Sequence, residues 1–142
     1  MDLPPITELI PHRGRFLLLD RLVRLTDTEA EAVGRFGIED VEGHFPGRPI
    51  VPGVLLLEGL AQTLAAADLA RRRGKGEVPG TPLLTGFEKV RFRSPVFPPA
   101  EVVYTVVLQG ERFGLLTARG TSRANGVRVA TATLTGTVVH PS

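Results

Sequence analysis

The sequence contains no cysteine. Disulfides, thiolate nucleophiles and cysteine-held metals are therefore excluded. Lysine is nearly missing too: Lys75 and Lys89 are the only two among 17 basic residues, so almost all positive charge is arginine and stays protonated at any working pH. The net charge is only +2, and no dense basic stripe interleaved with aromatics runs along the chain. That argues against a nucleic-acid-binding role, while leaving small basic clusters that could receive an acidic partner protein. The opening Met1-Asp2-Leu3-Pro4-Pro5 lacks the basic patch and apolar run of a secretory signal, so a cytoplasmic protein is expected. There is no internal repeat and no low-complexity linker.

A chain of 142 residues predicts one domain, residues 1–142, with enough buried surface to need no metal or disulfide staple. Ile6 to Ile10 suits a helical turn stopped by Pro11. Phe16 to Leu25 and Glu29 to Phe36 read as strands. His44 to Gly53 holds three prolines and two glycines and reads as an irregular loop. Val54 to about Arg72 is rich in strong helix formers and apolar almost all round, which marks a buried helix. Glu58, Gln62 and Asp68 interrupt it, so a membrane span is not expected. Arg71-Arg72-Arg73 suit the negative end of its dipole, and Gly74 its stop. β-Branched runs follow at Phe87 to Phe92, Val102 to Leu108, Leu115 to Thr121 and Val127 to Val139, with Asn125-Gly126 signalling a tight hairpin. One buried helix followed by an antiparallel meander predicts the α+β hotdog architecture, a curved sheet wrapped around a helix. Such a sheet leaves an edge that could pair two chains into a dimer. The apolar helix face and Phe87, Phe92 and Phe113 are expected in the core rather than lining a tunnel, with room for some to do both.

Three features could carry chemistry. His44, in the loop, is the side-chain type whose proton moves near neutral pH, although a lone loop histidine is as readily structural. Glu58, among Leu56, Leu57, Leu60 and Ala61, would pay a desolvation cost that favours its protonated form and points to use; the alternative is a salt bridge or a hydrogen bond to Gln62, one turn on. Gly53, after Pro52, opens the helix where free N–H groups could polarise a carbonyl oxygen, unless Pro52-Gly53 is merely a turn. A base, a neutral acid and an oxyanion donor together fit α-proton abstraction beside a thioester with loss of a β-hydroxyl as water.

These residues lie in segments that resemble a known family. Leu9-Ile10-Pro11-His12-Arg13 with Phe16-Leu17-Leu18-Leu19-Asp20-Arg21, the run Gly43-His44-Phe45-Pro46-Gly47-Arg48-Pro49-Ile50-Val51-Pro52-Gly53-Val54-Leu55-Leu56-Leu57-Glu58, then Gln62, and Lys89-Val90-Arg91-Phe92-Arg93 with Pro95-Val96 and Pro98 resemble the FabZ-type (3R)-3-hydroxyacyl-[acyl-carrier-protein] dehydratases of type II fatty acid synthesis. The resemblance covers most of the chain and is most specific from His44 to Gln62. It implies a hotdog fold, a site shared by two chains, His44 as base, Glu58 of the neighbouring chain as acid, the Gly53 N–H on the thioester oxygen, and Gln62 bonding near Glu58. It implies acyl carrier protein as partner, a homodimer or a trimer of dimers, and neither metal nor organic cofactor. The related FabA-type isomerising enzymes carry aspartate where Glu58 stands, so glutamate favours simple dehydration. Gly14-Arg15 and Pro99-Ala100 depart from the family's usual Tyr-Pro and Gly-Asp, which bears on the tunnel rim and chain-length preference.

His12 is expected to make structural hydrogen bonds, and His140, close to the end of the sequence, to be solvated. Lys89, Arg91 and Arg93 alternate with Val90 and Phe92 and so are expected on one strand face, either as a carrier-protein dock or as ordinary solvated charge; Arg71 to Arg73 pose the same choice. Two other readings remain. A hotdog acyl-thioesterase would activate water with a carboxylate and would not need His44. A non-catalytic acyl-binding subunit would keep the fold without the His44 and Glu58 pair.

Overall fold

The structure is a computed structural model and describes residues 3–78 and 80–140. Its centre is α2 (Gly53–Gly74), preceded by the short α1 (Ile6–Leu9). Six strands accompany them: β1 (Arg21–Leu25), β2 (Glu29–Phe36), β3 (Thr81–Phe92), β4 (Ala100–Arg112), β5 (Leu115–Ala124) and β6 (Val127–Val139). They form one antiparallel sheet in the order β1-β2-β4-β5-β6-β3, and α2 packs against every strand of it. This is the expected hotdog arrangement of sheet around helix. The meander is narrower than expected: only β4, β5 and β6 follow one another in space, while β3 crosses over to pair with β6 and becomes an edge.

The helix is long and apolar enough to cross a membrane by length and composition, but most of it is buried inside the fold. Leu56, Leu60 and Leu64 recur one turn apart and meet buried side chains from the sheet, among them Val102, Val106, Ala118 and Leu134. Each such leucine contributes about 1.5–3 kcal/mol by leaving water. Two hydroxyls in this dry layer are paired: Ser122 donates to the Leu56 carbonyl at 3.0 Å and Thr63 to the Gly59 carbonyl at 2.8 Å. The helix runs to Gly74, the expected stop, but the left-handed turn falls two residues later. Gly76, at φ 74°, turns the chain while Lys75 and Glu77 donate to the Arg72 carbonyl. The arginines there are occupied: Arg71 donates to the carbonyls of Thr26 and Glu29, Arg72 pairs with Asp68, and Arg73 with Glu8.

Several sequence expectations need correction. Phe16 to Asp20 does not join a strand; Gly14–Phe16 is a 3-10 turn and pairing begins at Arg21. The reason is on the helix: the Gln62 amide takes up the Leu18 N–H and the Phe16 carbonyl that a ladder would need. Phe92 and Phe113 are not core residues. Phe92 is more than half exposed, and Phe113 stands fully exposed at φ 52° in the turn joining β4 to β5. Phe87 is half-buried and packs against the core as expected. The Asn125-Gly126 turn has positive φ at both residues, the two-residue hairpin its sequence signals.

Tyr104, the only tyrosine, lies fully buried on β4 with its ring against Gly59. A methyl on Gly59 would overlap that ring. Alanine is the better helix former by about 1 kcal/mol, but overpacking costs about 1–3 kcal/mol, so Gly59→Ala is expected to lower stability in denaturant unfolding. Burial pushes the Tyr104 hydroxyl well above its ordinary pKa, helped by the negative charge of Asp20. The unfolded chain ionises this tyrosine near pH 10, whereas the folded chain keeps it protonated there. The stability linked to it is therefore complete below about pH 10 and lost as pH rises further. Tyrosinate absorbance should stay silent above that pH until the chain unfolds; an ordinary titration in the folded protein would contradict this.

Candidate active site

His44 sits in a loop tied down on both sides. Its N–H donates to the Val41 carbonyl at 2.8 Å and its own carbonyl accepts from Ile50 at 2.7 Å, while Phe45 and Arg48 exchange two backbone bonds. The ring stacks on Phe45 with centroids 4.1 Å apart. Its Nδ1 lies 2.9 Å from the Ile50 carbonyl oxygen. A carbonyl can only accept, so Nδ1 carries the hydrogen and Nε2 is left with its lone pair, the form a general base requires. The half-buried ring lines a cavity of about 400 Å³ together with Gly53, Val54, Phe92 and Arg93. Gly53 opens α2 after Pro52, which offers no side-chain cap; the Leu55 N–H is donated to the Pro52 carbonyl, and the N–H groups of Gly53 and Val54 are left for an anion or a polarised oxygen. Phe92 lies across this position: a Cβ on Gly53 would come within 2.6 Å of its ring.

Glu58 lines a different cavity, of about 80 Å³, with Gln62, Ala61, Ala65, Asp68 and His12 on one side and residues of β3, β5 and β6 on the other. Five residues after Gly53 on a helix of 3.6 per turn, it points roughly 140° away from the helix start. One chain thus sets His44 and Gly53 together and Glu58 apart from them. The expected burial of Glu58 is only partial, with its side chain 36% exposed. Its polar neighbour is not Gln62 but His12, whose Nε2 is 3.9 Å from Glu58 Oε1. Gln62 is buried and engaged at both ends of its amide, donating to the Phe16 carbonyl at 2.6 Å and accepting from the Leu18 N–H at 2.9 Å. It seats the opening segment rather than bonding the acid.

The structural hydrogen bonds expected of His12 are not made by its side chain among the described residues. Its backbone carbonyl accepts from Arg13, but its Nδ1 has no hydrogen-bond partner among the described residues. The signal was its position four residues before Phe16, where Gln62 fastens the segment to the turn of α2 that follows Glu58. Lys89, Arg91 and Arg93 are all exposed, yet they do not share a face by alternation. Lys89 has φ 52°, and the pairing slips between Glu88 and Arg91, which breaks the two-residue period. Arg93 lies beyond the strand and lines the His44 cavity. Among the described residues, no three His, Asp or Glu side chains cluster as metal ligands.

Comparison with known proteins places this geometry. The family model of the FabA-like domain matches residues 10–133, a span that takes in His12, His44, Gly53, Glu58 and Gln62. The chain belongs to this family. Among curated proteins it is 36% identical over 136 residues to the 3-hydroxyacyl-[acyl-carrier-protein] dehydratase FabZ of Pseudothermotoga lettingae, covering 94% of each chain. It is 37% identical to the protein of the same name from Methylobacterium nodulans, covering 92% of this chain and 84% of that one. Among solved structures, a chain of the dehydratase heterocomplex ApeI:P from Xenorhabdus doucetiae superposes with a TM-score of 0.86 at 17% identity, over 98% of this chain and 93% of that one. The phenylacetic acid degradation protein PaaI from Thermus thermophilus gives 0.62 at 20% identity, over 84% and 92%. At those identities the two structures speak for the fold.

The Gln62 bonds give a direct test. Gln62→Leu keeps the volume but strands a partly buried carbonyl and a partly buried N–H, which should cost about 1–3 kcal/mol in denaturant unfolding and speed exchange of the Leu18 amide. Unchanged stability would mean that the opening segment is held by something else.

Proposed function

We propose that this chain is a 3-hydroxyacyl-[acyl-carrier-protein] dehydratase of fatty acid synthesis, converting the (3R)-3-hydroxyacyl thioester to its trans-2-enoyl form. The observation that carries the reading is the tautomer of His44, fixed by the Ile50 carbonyl beside the open start of α2. Family membership and FabZ relatives matched over nearly their whole length support it. One domain, residues 1–142, does the work without metal or organic cofactor.

His44 Nε2 takes the α proton of the thioester. The electron pair moves into the carbonyl, whose oxygen becomes enolate-like and is held by the Gly53 N–H. As the carbonyl reforms, the pair passes to the α–β bond and the C–O bond at the β carbon breaks. Glu58 supplies the proton with which the hydroxyl leaves as water, directly or through a bridging water. His44 then holds one proton and Glu58 lacks one, and exchange with solvent restores both.

A single chain sets these groups in separate cavities, so Glu58 is supplied by a second copy of the chain. The β3 edge, with Leu83, Leu84 and Phe92 exposed along it, offers the surface for a homodimer, and a trimer of dimers is the larger assembly to look for. Acyl carrier protein is acidic and docks at the mouth of the His44 cavity, where Arg93 stands, with Lys89 and Arg91 on the same edge strand. The enzyme works in the cytoplasm.

His44→Ala and Glu58→Gln should each lower dehydration by roughly 10²–10⁴-fold, the usual worth of a positioned acid or base, with the fold retained. The product should be the trans-2-enoyl thioester, formed reversibly and without thiol release. Release of free thiol would instead make the chain a thioesterase, and binding of the carrier protein without turnover would make it an acyl-binding subunit.

A further inference from the structure

The mechanism leaves His12 without a role, although its side chain is set with some care. The segment bearing it is fastened just downstream by both ends of the Gln62 amide. Arg13, the next residue, reaches back to the upstream carbonyls of Thr7 and Ile10. The ring enters the Glu58 cavity with Nε2 3.9 Å from Glu58 Oε1. The other nitrogen, Nδ1, is buried with no partner among the described residues. A buried N–H without an acceptor is costly, whereas a bare lone pair is tolerated more readily, so the ring hydrogen belongs on Nε2, facing the acid.

Other charged groups nearby are already committed. Asp68, which lines the same cavity, accepts from Arg72 Nε at 2.8 Å. Arg13 spends its guanidinium on the three backbone carbonyls of Thr7, Ile10 and His12. Among the described residues, the side chain left facing Glu58 across this gap is His12. A separation of 3.9 Å is too long for a direct bond and short enough for a small closure or an offset bridging water.

We propose that His12 is a positioning residue for the acid: its Nε2–H engages Oε1 of Glu58 and thereby presents the other carboxyl oxygen, the one that carries the proton, to the departing hydroxyl. His12 itself exchanges no proton with substrate. Its effect belongs to the chemical step, because an acid free to rotate binds substrate as well but delivers its proton less often.

The inference rests on the dehydratase reading, and the test separates the two. The purified full chain, His12→Gln and His12→Asn are assayed with a (3R)-3-hydroxyacyl thioester of acyl carrier protein, and melting is followed for all three. The glutamine amide nitrogen reaches the place of Nε2, and that of asparagine reaches only the place of Nδ1. His12→Asn should lower kcat about ten- to a hundredfold, the worth of a hydrogen bond to an ionisable group, with KM little changed. His12→Gln should recover most of that loss, and the two variants should melt alike. Native kcat in both variants, equal loss in both, or a loss confined to KM would overturn the role. If the unaltered chain forms no enoyl product, the dehydratase reading fails first and this role falls with it.

Discussion

A helix of 22 residues that is apolar on nearly every face has to be covered, and the rest of the chain is arranged to cover it. No flat sheet could do so; six strands curl around α2 and each touches it. Under that constraint a polar side chain on the helix is expensive unless something meets it. Gln62 meets two backbone groups of the opening segment, Thr63 a carbonyl of its own helix, and Asp68 the guanidinium of Arg72. Glu58 is the exception. It faces a cavity, and its near neighbour is the ring of His12 rather than a saturating partner.

The same helix separates the chemistry. Its start lies beside the His44 loop, so an imidazole with a fixed tautomer and the N–H groups of Gly53 and Val54 share one cavity. One and a half turns later, the helical twist has carried Glu58 round to another face and another cavity. Bringing Glu58 to His44 within one chain would mean unwinding the helix that forms the core. In the proposed symmetric pair neither chain is deformed, because each would lend its Glu58 to the other's His44.

Much of this was legible in the sequence. The apolar run from Val54, the β-branched strands and the Asn125-Gly126 turn announce a sheet around a helix, because local propensity and burial agree there. His44 and Gly53 were legible as neighbours, being joined by a short rigid loop. What could not be read were the places where a distant side chain overrides a local pattern. Phe16 to Asp20 has the composition of a strand, but Gln62 claims its hydrogen bonds. Lys89 sits at a left-handed bulge that shifts the phase of every later residue of β3, which no alternation pattern reveals. Likewise, the crossover that sends β3 to the far side of β6 depends on sheet closure and not on strand composition. His12 was missed because its partner lies 46 residues further along the chain and comes near only when the opening segment is seated.

The most direct test of the account is subunit exchange between His44→Ala and Glu58→Gln. After unfolding and refolding the two inactive proteins together, half the dimers are mixed and each mixed dimer has one intact site of its two. About a quarter of the native dehydration should therefore return. A mixture shown by mass to have exchanged subunits, yet as inactive as its parents, would place base and acid within one chain and contradict the shared site.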